Sequence, residues 1–171
     1  MRSAKSAYAA DGLLRNPHIQ SILSSSPWRR QAGLERLNAL GAVAQGRILQ
    51  LPDGVRLAGI HYVSPSANPE KALVLLLHGW EGSARSSYIQ HSAAELLAAG
   101  LDVFALNFRD HGETHELNEG LFHSCRLQEI IDAAKAVLQQ CRPQRFFVAG
   151  YSLGGNFALR LALVAQREAL P

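Results

Sequence analysis

One stretch decides the fold: Phe146-Phe147-Val148-Ala149-Gly150-Tyr151-Ser152-Leu153-Gly154-Gly155. It reads as an apolar strand that runs into a G-x-S-x-G turn, and an amphipathic helical run follows from Asn156 to about Gln166. A strand, a sharp turn with serine at its tip and a helix form the context that a nucleophile elbow requires. Such a turn strains the backbone of Ser152, so the residues two before and two after it need almost no side chain. Gly150 and Gly154 meet that need, although an ordinary glycine-rich turn remains the alternative.

The composition is that of a globular domain with a sizeable core. Of the 171 residues, 47% are hydrophobic and 18% are charged, which argues against disorder. The formal net charge is +3, and arginines and a lysine in the first 30 positions supply much of the excess. A solvated surface explains this charge. Weak attraction to an anionic membrane surface or to nucleic acid is the alternative, but no nucleic-acid motif supports it.

Cysteine usage and hydropathy bear on the compartment. Cys125 and Cys141 are the only cysteines and form no C-x-x-C motif, and free thiols suit a reducing cytoplasm. Residues 1–11 lack the apolar core of a signal peptide, and no window approaches 18 consecutive apolar residues. We therefore expect a cytoplasmic protein with no transmembrane segment.

The sequence indicates a division of the chain near position 45. Residues 1–45 read as an N-terminal extension that packs over the domain, and residues 46–171 read as the domain itself. Prolines at 17 and 27 restrict any helix between them to about Ile19–Ser25. Two alternating runs, 46–51 and 55–62, are separated by a Pro-Asp-Gly turn and predict a β-hairpin.

Strands and helices alternate after the hairpin. Residues 72–77 are continuously apolar, which is typical of a strand buried on both faces. A helix is predicted over 86–99 with Gly100 as its C-terminal cap, then a strand over 101–108, a loop over 109–123 and a helix over 126–140. This order predicts an α/β fold with a mostly parallel sheet covered by helices.

A second candidate site follows the first buried strand: Leu77-His78-Gly79-Trp80-Glu81-Gly82. Active sites in open α/β sheets gather at the carboxyl ends of strands. The turn can present the backbone N–H of Trp80 towards Ser152, with the N–H of Leu153 as a second donor, which makes a two-amide oxyanion hole. A tight loop with a packed imidazole is the alternative. In either case we expect His78 to be structural.

These pieces resemble the α/β-hydrolase superfamily. His78-Gly79 after a buried strand and Gly150-Tyr151-Ser152-Leu153-Gly154-Gly155-Asn156 carry that similarity. Further pieces resemble its YheT-like branch of esterases: Asn16-Pro17-His18-Ile19-Gln20, Trp80-Glu81-Gly82-Ser83 and Asn107-Phe108-Arg109. The resemblance implies a serine hydrolase acting on carboxylic esters, with Ser152 as nucleophile and no metal or cofactor. One departure is Asp110, where the branch would have glycine.

The larger departure is in the catalytic triad. Its order in this superfamily is serine, acid, histidine. After Ser152 the chain offers only Glu168 as an acid, and all seven histidines precede the serine. The resemblance therefore implies a C-terminally truncated hydrolase, whose later elements would carry the missing groups. Without a base, the hydroxyl is a poor nucleophile at neutral pH.

The loop over 109–123 holds three histidines and several acids. A rescued base and a metal site are alternatives to a solvated polar loop, but the loop has no H-E-x-x-H pattern on a helix. Truncation would also leave the strand before Ser152 at a sheet edge, so self-association, poor solubility or dependence on a missing fragment is expected. A catalytically inactive α/β-hydrolase-like module acting by association is the alternative function.

Overall fold

The computed structural model describes residues 10–64 and 72–170. The first nine residues, on which the absence of a signal peptide was predicted, the loop at 65–71 and Pro171 lie outside the described residues. After a 3-10 turn at Gly12–Arg15, the helices and strands follow in this order: α1 (Pro17–Ser24), α2 (Pro27–Ala39), β1 (Val43–Gln50), β2 (Arg56–Val63), β3 (Ala72–Leu77), α3 (Ser87–Ala98), β4 (Asp102–Leu106), α4 (Leu127–Cys141), β5 (Arg145–Gly150) and α5 (Leu153–Val164).

The five strands form one mixed sheet in the order β1-β2-β4-β3-β5. Strand β3 runs parallel to both β4 and β5. The antiparallel hairpin β1–β2 joins the sheet through β2, which pairs antiparallel with β4. The predicted hairpin and the predicted parallel strands are both confirmed. Leu77 at the end of β3 lies in register with Gly150 at the end of β5. The turns that follow these two strands therefore lie side by side at the carboxyl edge of the sheet.

Helices cover both faces of this sheet. All six residues of β3 are buried, and alternate side chains enter the two cores. On one face Leu75 and Leu77 pack with Ile130 of α4 and Phe157 of α5. On the other face Leu76 packs with Ile89 of α3 and Leu37 of α2. This two-sided burial explains why the sequence of β3 is continuously apolar rather than alternating.

The boundaries of several elements differ from the sequence-based expectation. Helix α5 begins at Leu153, three residues before the predicted Asn156, and β4 ends at Leu106, before the predicted 108. Helix α2 was not predicted. Proline at N1 favours a helix start, and the Ser26 hydroxyl accepts a hydrogen bond from the Arg29 N–H at 3.3 Å. Helix α2 packs on α3, while the division of the chain at residue 46 stays a prediction.

Strand β5 is at the edge of the sheet in the described part of the chain, as predicted. Its Phe147 is 40% exposed, and on α5 Leu159 and Leu163 are 71% and 85% exposed. A groove of about 350 Å³ runs between β5 and α5 and is lined by apolar side chains. Among the described residues, no helix is both long and apolar enough to cross a membrane.

Candidate active site

Ser152 lies at the tip of the turn between β5 and α5. Its backbone has φ 51° and ψ −112°, in the left-handed half of conformational space that a non-glycine residue rarely adopts. The residue is exposed at the carboxyl edge of the sheet. The Tyr151 N–H donates to the Leu77 carbonyl at 3.0 Å, and the Gly154 N–H donates to the Tyr151 carbonyl at 2.8 Å. These bonds hold the turn in the strained geometry.

The two glycines that flank Ser152 stand where no side chain fits. A Cβ on Gly150 would lie 2.7 Å from the Gly155 nitrogen, and one on Gly154 would lie 2.5 Å from the His78 carbonyl oxygen. Both neighbours are backbone atoms and cannot turn aside. The close approach of α5 to β3 therefore depends on Gly154, and the turn itself depends on Gly150.

The loop after β3 adjoins the serine. A Cβ on Gly79 would lie 3.5 Å from the Ser152 Cβ, and the Gly79 N–H donates to the Tyr88 hydroxyl at 2.9 Å. Trp80 follows directly, with its side chain 60% exposed. Within residues 10–64 and 72–170, neither the Trp80 nor the Leu153 N–H donates to a protein acceptor. Both amides remain free for a ligand oxygen.

His78 has a structural position, as expected. It is fully buried, and its Nδ1 lies 2.7 Å from the Gly79 carbonyl oxygen, while its Nε2 accepts the Phe108 N–H at 3.2 Å. One ring nitrogen thus donates and the other accepts, as in a neutral imidazole. Burial lowers the pKa of His78 to about 4. The ring joins the loop after β3 to the loop after β4 and has no free nitrogen for a substrate.

The loop after β4 carries two further histidines beside the loop after β3. His111 and His115 line a cavity of about 450 Å³ together with Trp80 and Gly82. The His111 Nδ1 lies 2.8 Å from the Arg109 carbonyl oxygen, and the His115 Nδ1 lies 2.5 Å from the Asp110 carboxylate. Each histidine therefore has its Nδ1 engaged by an oxygen. In the described ranges, no group of three or more potential ligands is placed to hold a metal ion.

A buried ion pair anchors this loop, and sequence reasoning did not find it. Two nitrogens of Arg109 donate to the Glu129 carboxylate of α4, at 2.7 and 2.9 Å, and a third donates to the Glu119 carbonyl at 2.9 Å. Both side chains are buried. A glutamate on the core face of an otherwise apolar helix was the signal that could have revealed the pair.

Two tyrosines near the serine were also missed. The Tyr151 hydroxyl bonds to the Ser92 hydroxyl of α3, and the Tyr151 ring lies edge-on to the Tyr88 ring at 4.9 Å. Tyr88 also accepts the Gly79 N–H, so α3 supports the turns after both β3 and β5. No local sequence pattern predicts these contacts, because they depend on where α3 lies on the sheet.

Glu168, the only acid after Ser152, is engaged elsewhere. Its carboxylate accepts from Lys135 at 3.0 Å and from Arg167 at 3.2 Å. The hydrogen bond from Lys135, with Arg167 beside it, holds the pKa of Glu168 below its ordinary value. This carboxylate supports the end of α5 and is occupied by cations rather than by a histidine.

Comparison with known families fits this arrangement. Residues 72–169 match the family described as alpha/beta hydrolase fold, which covers more than half of the chain. The chain belongs to the alpha/beta hydrolase family. The match begins with β3 and runs through α5, so it includes both the Trp80 loop and the Ser152 turn.

A curated protein to which the chain is similar is an esterase. Over 112 residues the chain is 29% identical to the pimeloyl-(acyl-carrier protein) methyl ester esterase of Nitrosomonas europaea, which covers 66% of this chain and 38% of that protein. The chain thus spans well under half the length of this curated relative.

Solved structures show the same fold. An esterase of Pyrococcus furiosus is 22% identical with a TM-score of 0.61, over 72% of this chain and 48% of that one. The esterase Est22 is 18% identical with a TM-score of 0.66, over 90% and 48%. A serine hydrolase without a lid from Xanthomonas campestris is 21% identical with a TM-score of 0.61, over 72% and 57%.

Proposed function

We propose that this chain carries the nucleophile and the oxyanion hole of a carboxylic ester hydrolase. Ser152 would attack the ester carbonyl, and the amides of Trp80 and Leu153 would hold the oxyanion of the tetrahedral intermediate. The observation that carries the proposal is the left-handed backbone of Ser152 at the tip of the β5–α5 turn, beside a loop with a free amide. Nucleophilic serines of α/β hydrolases occupy such a turn.

Full activity requires a base that accepts the serine proton. No histidine follows Ser152 in these 171 residues, so the base would be an upstream histidine or would come from polypeptide beyond them. His78 is excluded because both of its ring nitrogens are engaged. Loss of a triad member costs on the order of 10⁴ in rate or more, so we expect weak turnover from this chain alone.

Finer assignments are also proposals. We place the chain in the YheT-like branch on its Asn16-Pro17-His18 and Asn107-Phe108-Arg109 segments. It would correspond to the N-terminal part of such an esterase, with an extension before residue 46, and it would need no metal or cofactor. Two free cysteines, Cys125 and Cys141, support a reducing compartment such as the cytoplasm. A small-molecule ester is the substrate class that the relatives support.

A fluorophosphonate probe tests the serine directly. The probe reacts with an activated serine, so intact mass should rise by one probe on the wild-type chain and not on Ser152→Ala. Ser124→Ala is the matched control, because Ser124 is also exposed and lies outside the turn. Labelling that survives in Ser152→Ala, or no labelling of the wild type at all, would contradict a reactive Ser152.

The exposed face beside β5 favours a second candidate, a non-catalytic module that acts by association. Phe147, Leu159 and Leu163 present apolar surface on and beside β5, which is the last strand of the sheet in the described part of the chain. Sedimentation velocity should then show concentration-dependent self-association, reduced by Leu163→Glu. Leu121→Glu is the control, since Leu121 is 75% exposed on the loop after β4 rather than on β5 or α5. A clean monomer at high concentration would rule out this candidate.

A further inference from the structure

We propose that a cavity between α2, the hairpin and the loops after β3 and β4 binds an organic anion: a phosphate or carboxylate group that carries a short apolar chain. The cavity has a volume of about 420 Å³ and is distinct from the one lined by Trp80 and His111, with which it shares only Gly112. Sites for small organic ligands typically occupy roughly 300–1,000 Å³. Nothing in the proposed ester hydrolysis uses this space.

Two arginines give the cavity its charge. Arg30 of α2 and Arg85 of the loop after β3 line it from different elements. In the part of the chain that the structure describes, neither guanidinium forms an ion pair or a hydrogen bond. Other arginines do find carboxylates: Arg36 lies 2.5 Å from Glu95, and Arg109 lies 2.7 Å from Glu129. Arg30 and Arg85 thus retain donors for an oxyanion.

The backbones that carry these arginines are held in place. Helix α2 docks on α3, where the Ser87 hydroxyl donates to the Ser24 carbonyl at 2.9 Å and Arg36 pairs with Glu95. The loop after β3 is a tight turn in which the Arg85 N–H donates to the Ser83 hydroxyl at 3.2 Å. The guanidinium groups therefore extend from fixed points on two different elements, which lowers the entropy cost of a shared ligand.

The rest of the lining suits a ligand with an apolar part. Ile48 and Ile60 of the hairpin form one wall, and Ser83 and Thr114 contribute hydroxyls. Glu113 is the only carboxylate among the lining residues, and Arg47, a third arginine, is bonded to Gln45. The lining therefore combines a net positive charge with apolar surface from the two isoleucines. A bare inorganic anion would leave the isoleucine wall unused.

The experiment measures binding of hexyl phosphate by isothermal titration calorimetry, with hexanol as the uncharged comparison. We expect hexyl phosphate to bind and hexanol not to bind. Arg30→Gln and Arg85→Gln should each weaken binding by about tenfold, because each removes a charge-assisted hydrogen bond to the anion. Both arginines are exposed, so the variants should keep the wild-type melting temperature.

Arg29→Gln is the matched control. Arg29 neighbours Arg30 on the same helix and carries the same charge, but it does not line this cavity; it lines a neighbouring one, to which Arg30 also contributes and Arg85 does not. If Arg29→Gln lost as much affinity for hexyl phosphate as the other two variants, the attraction would be diffuse and the proposed site would be wrong. The proposal would also be wrong if hexanol bound as well as hexyl phosphate, or if hexyl phosphate did not bind at millimolar concentration. Vesicles with and without phosphatidic acid distinguish a lipid headgroup from a free organic phosphate as the source of the anion. Since no readout uses Ser152, failure here is distinct from failure of the proposed hydrolase function.

Discussion

Strands β3 and β5 are parallel neighbours in register, yet their surroundings differ. Every residue of β3 is buried and the strand has a partner on each side, whereas β5 has one partner in the described chain and leaves Phe147 40% exposed. Both strands read as apolar in the sequence. The difference shows that an apolar run predicts a strand, while its degree of burial depends on which neighbours the rest of the polypeptide supplies.

The two strands each position one part of the candidate site. The amide of Trp80 follows the fully supported β3, and Ser152 follows the edge strand β5. Their relative position depends on the junction between the strands, where the Tyr151 N–H meets the Leu77 carbonyl and α5 approaches at Gly154. The proposed chemistry therefore requires that junction to be tight.

The largest effect should follow from opening the junction with Gly154→Ala. The new methyl group would lie 2.5 Å from the His78 carbonyl oxygen, so β3 and α5 must separate. We expect the free energy of unfolding to fall by about 3 kcal/mol or more, at the upper end for overpacking. Urea unfolding measures this loss.

Gly155→Ala is the control for that change. A Cβ at Gly155 would lie 3.2 Å from the Gly150 carbonyl oxygen, a contact that a small shift relieves. Alanine also favours the first turn of α5 more than glycine does. Equal destabilisation by the two variants would mean that the junction is not the tight contact described here.

Truncating one side chain in each strand tests the difference in burial. Leu75→Ala removes a fully buried side chain from β3 and should cost about 3 kcal/mol, within the usual range for leucine in a core. Phe147→Ala removes a side chain that is already 40% exposed and should cost about 1 kcal/mol. Urea unfolding measures both losses in the free energy of unfolding, and their ratio is the result to compare with the prediction. Similar costs would indicate that β5 is covered in solution, as self-association would cause.

The pH dependence of stability tests the buried ring that follows β3. The pKa of His78 is about 4 in the folded chain and about 6.5 when unfolded, so the unfolded state binds more protons between these values. Stability should therefore rise with pH from 4 to 6.5, with up to about 3 kcal/mol gained across that window from this group.

His78→Gln should flatten that pH dependence, although it lowers stability at neutral pH by removing a buried hydrogen-bonded ring. His18→Gln is the control for the loss of a histidine as such, because His18 is exposed and lies outside the core. Urea midpoints between pH 4 and 7 measure both. If the pH dependence of stability persisted in His78→Gln, it would arise from other titratable groups.

How much the sequence predicts differs between local and long-range features. The hairpin, β3, α3 and the Ser152 turn follow local patterns of periodicity and glycine placement, and the structure has them close to the predicted bounds. Glu129 on the core face of α4 indicates a buried partner, but no local pattern identifies that partner as Arg109, which lies 20 positions away in another element. The support of the Gly79 loop by Tyr88 is a second example, because it depends on how α3 lies against the sheet.

The smallest effect concerns the loop after β4, on the other side of β3. Asp110, at the position where the YheT-like resemblance implies glycine, has φ 58°, so the left-handed conformation is present without a glycine. Aspartate tolerates this region better than most residues, and its carboxylate contacts His115. Asp110→Gly removes backbone strain, which stabilises the folded chain. It also raises the entropy of the unfolded chain and removes the contact with His115, and both effects destabilise. Because these effects offset one another, the free energy of unfolding should change by less than about 0.5 kcal/mol. Asp110→Ala keeps the strain and loses the contact, and should cost about 1 kcal/mol more than Asp110→Gly in urea unfolding. Equal stabilities of these two variants would mean that the loop relaxes away from the left-handed conformation, and that the loop after β4 is held less firmly than the turns that follow β3 and β5.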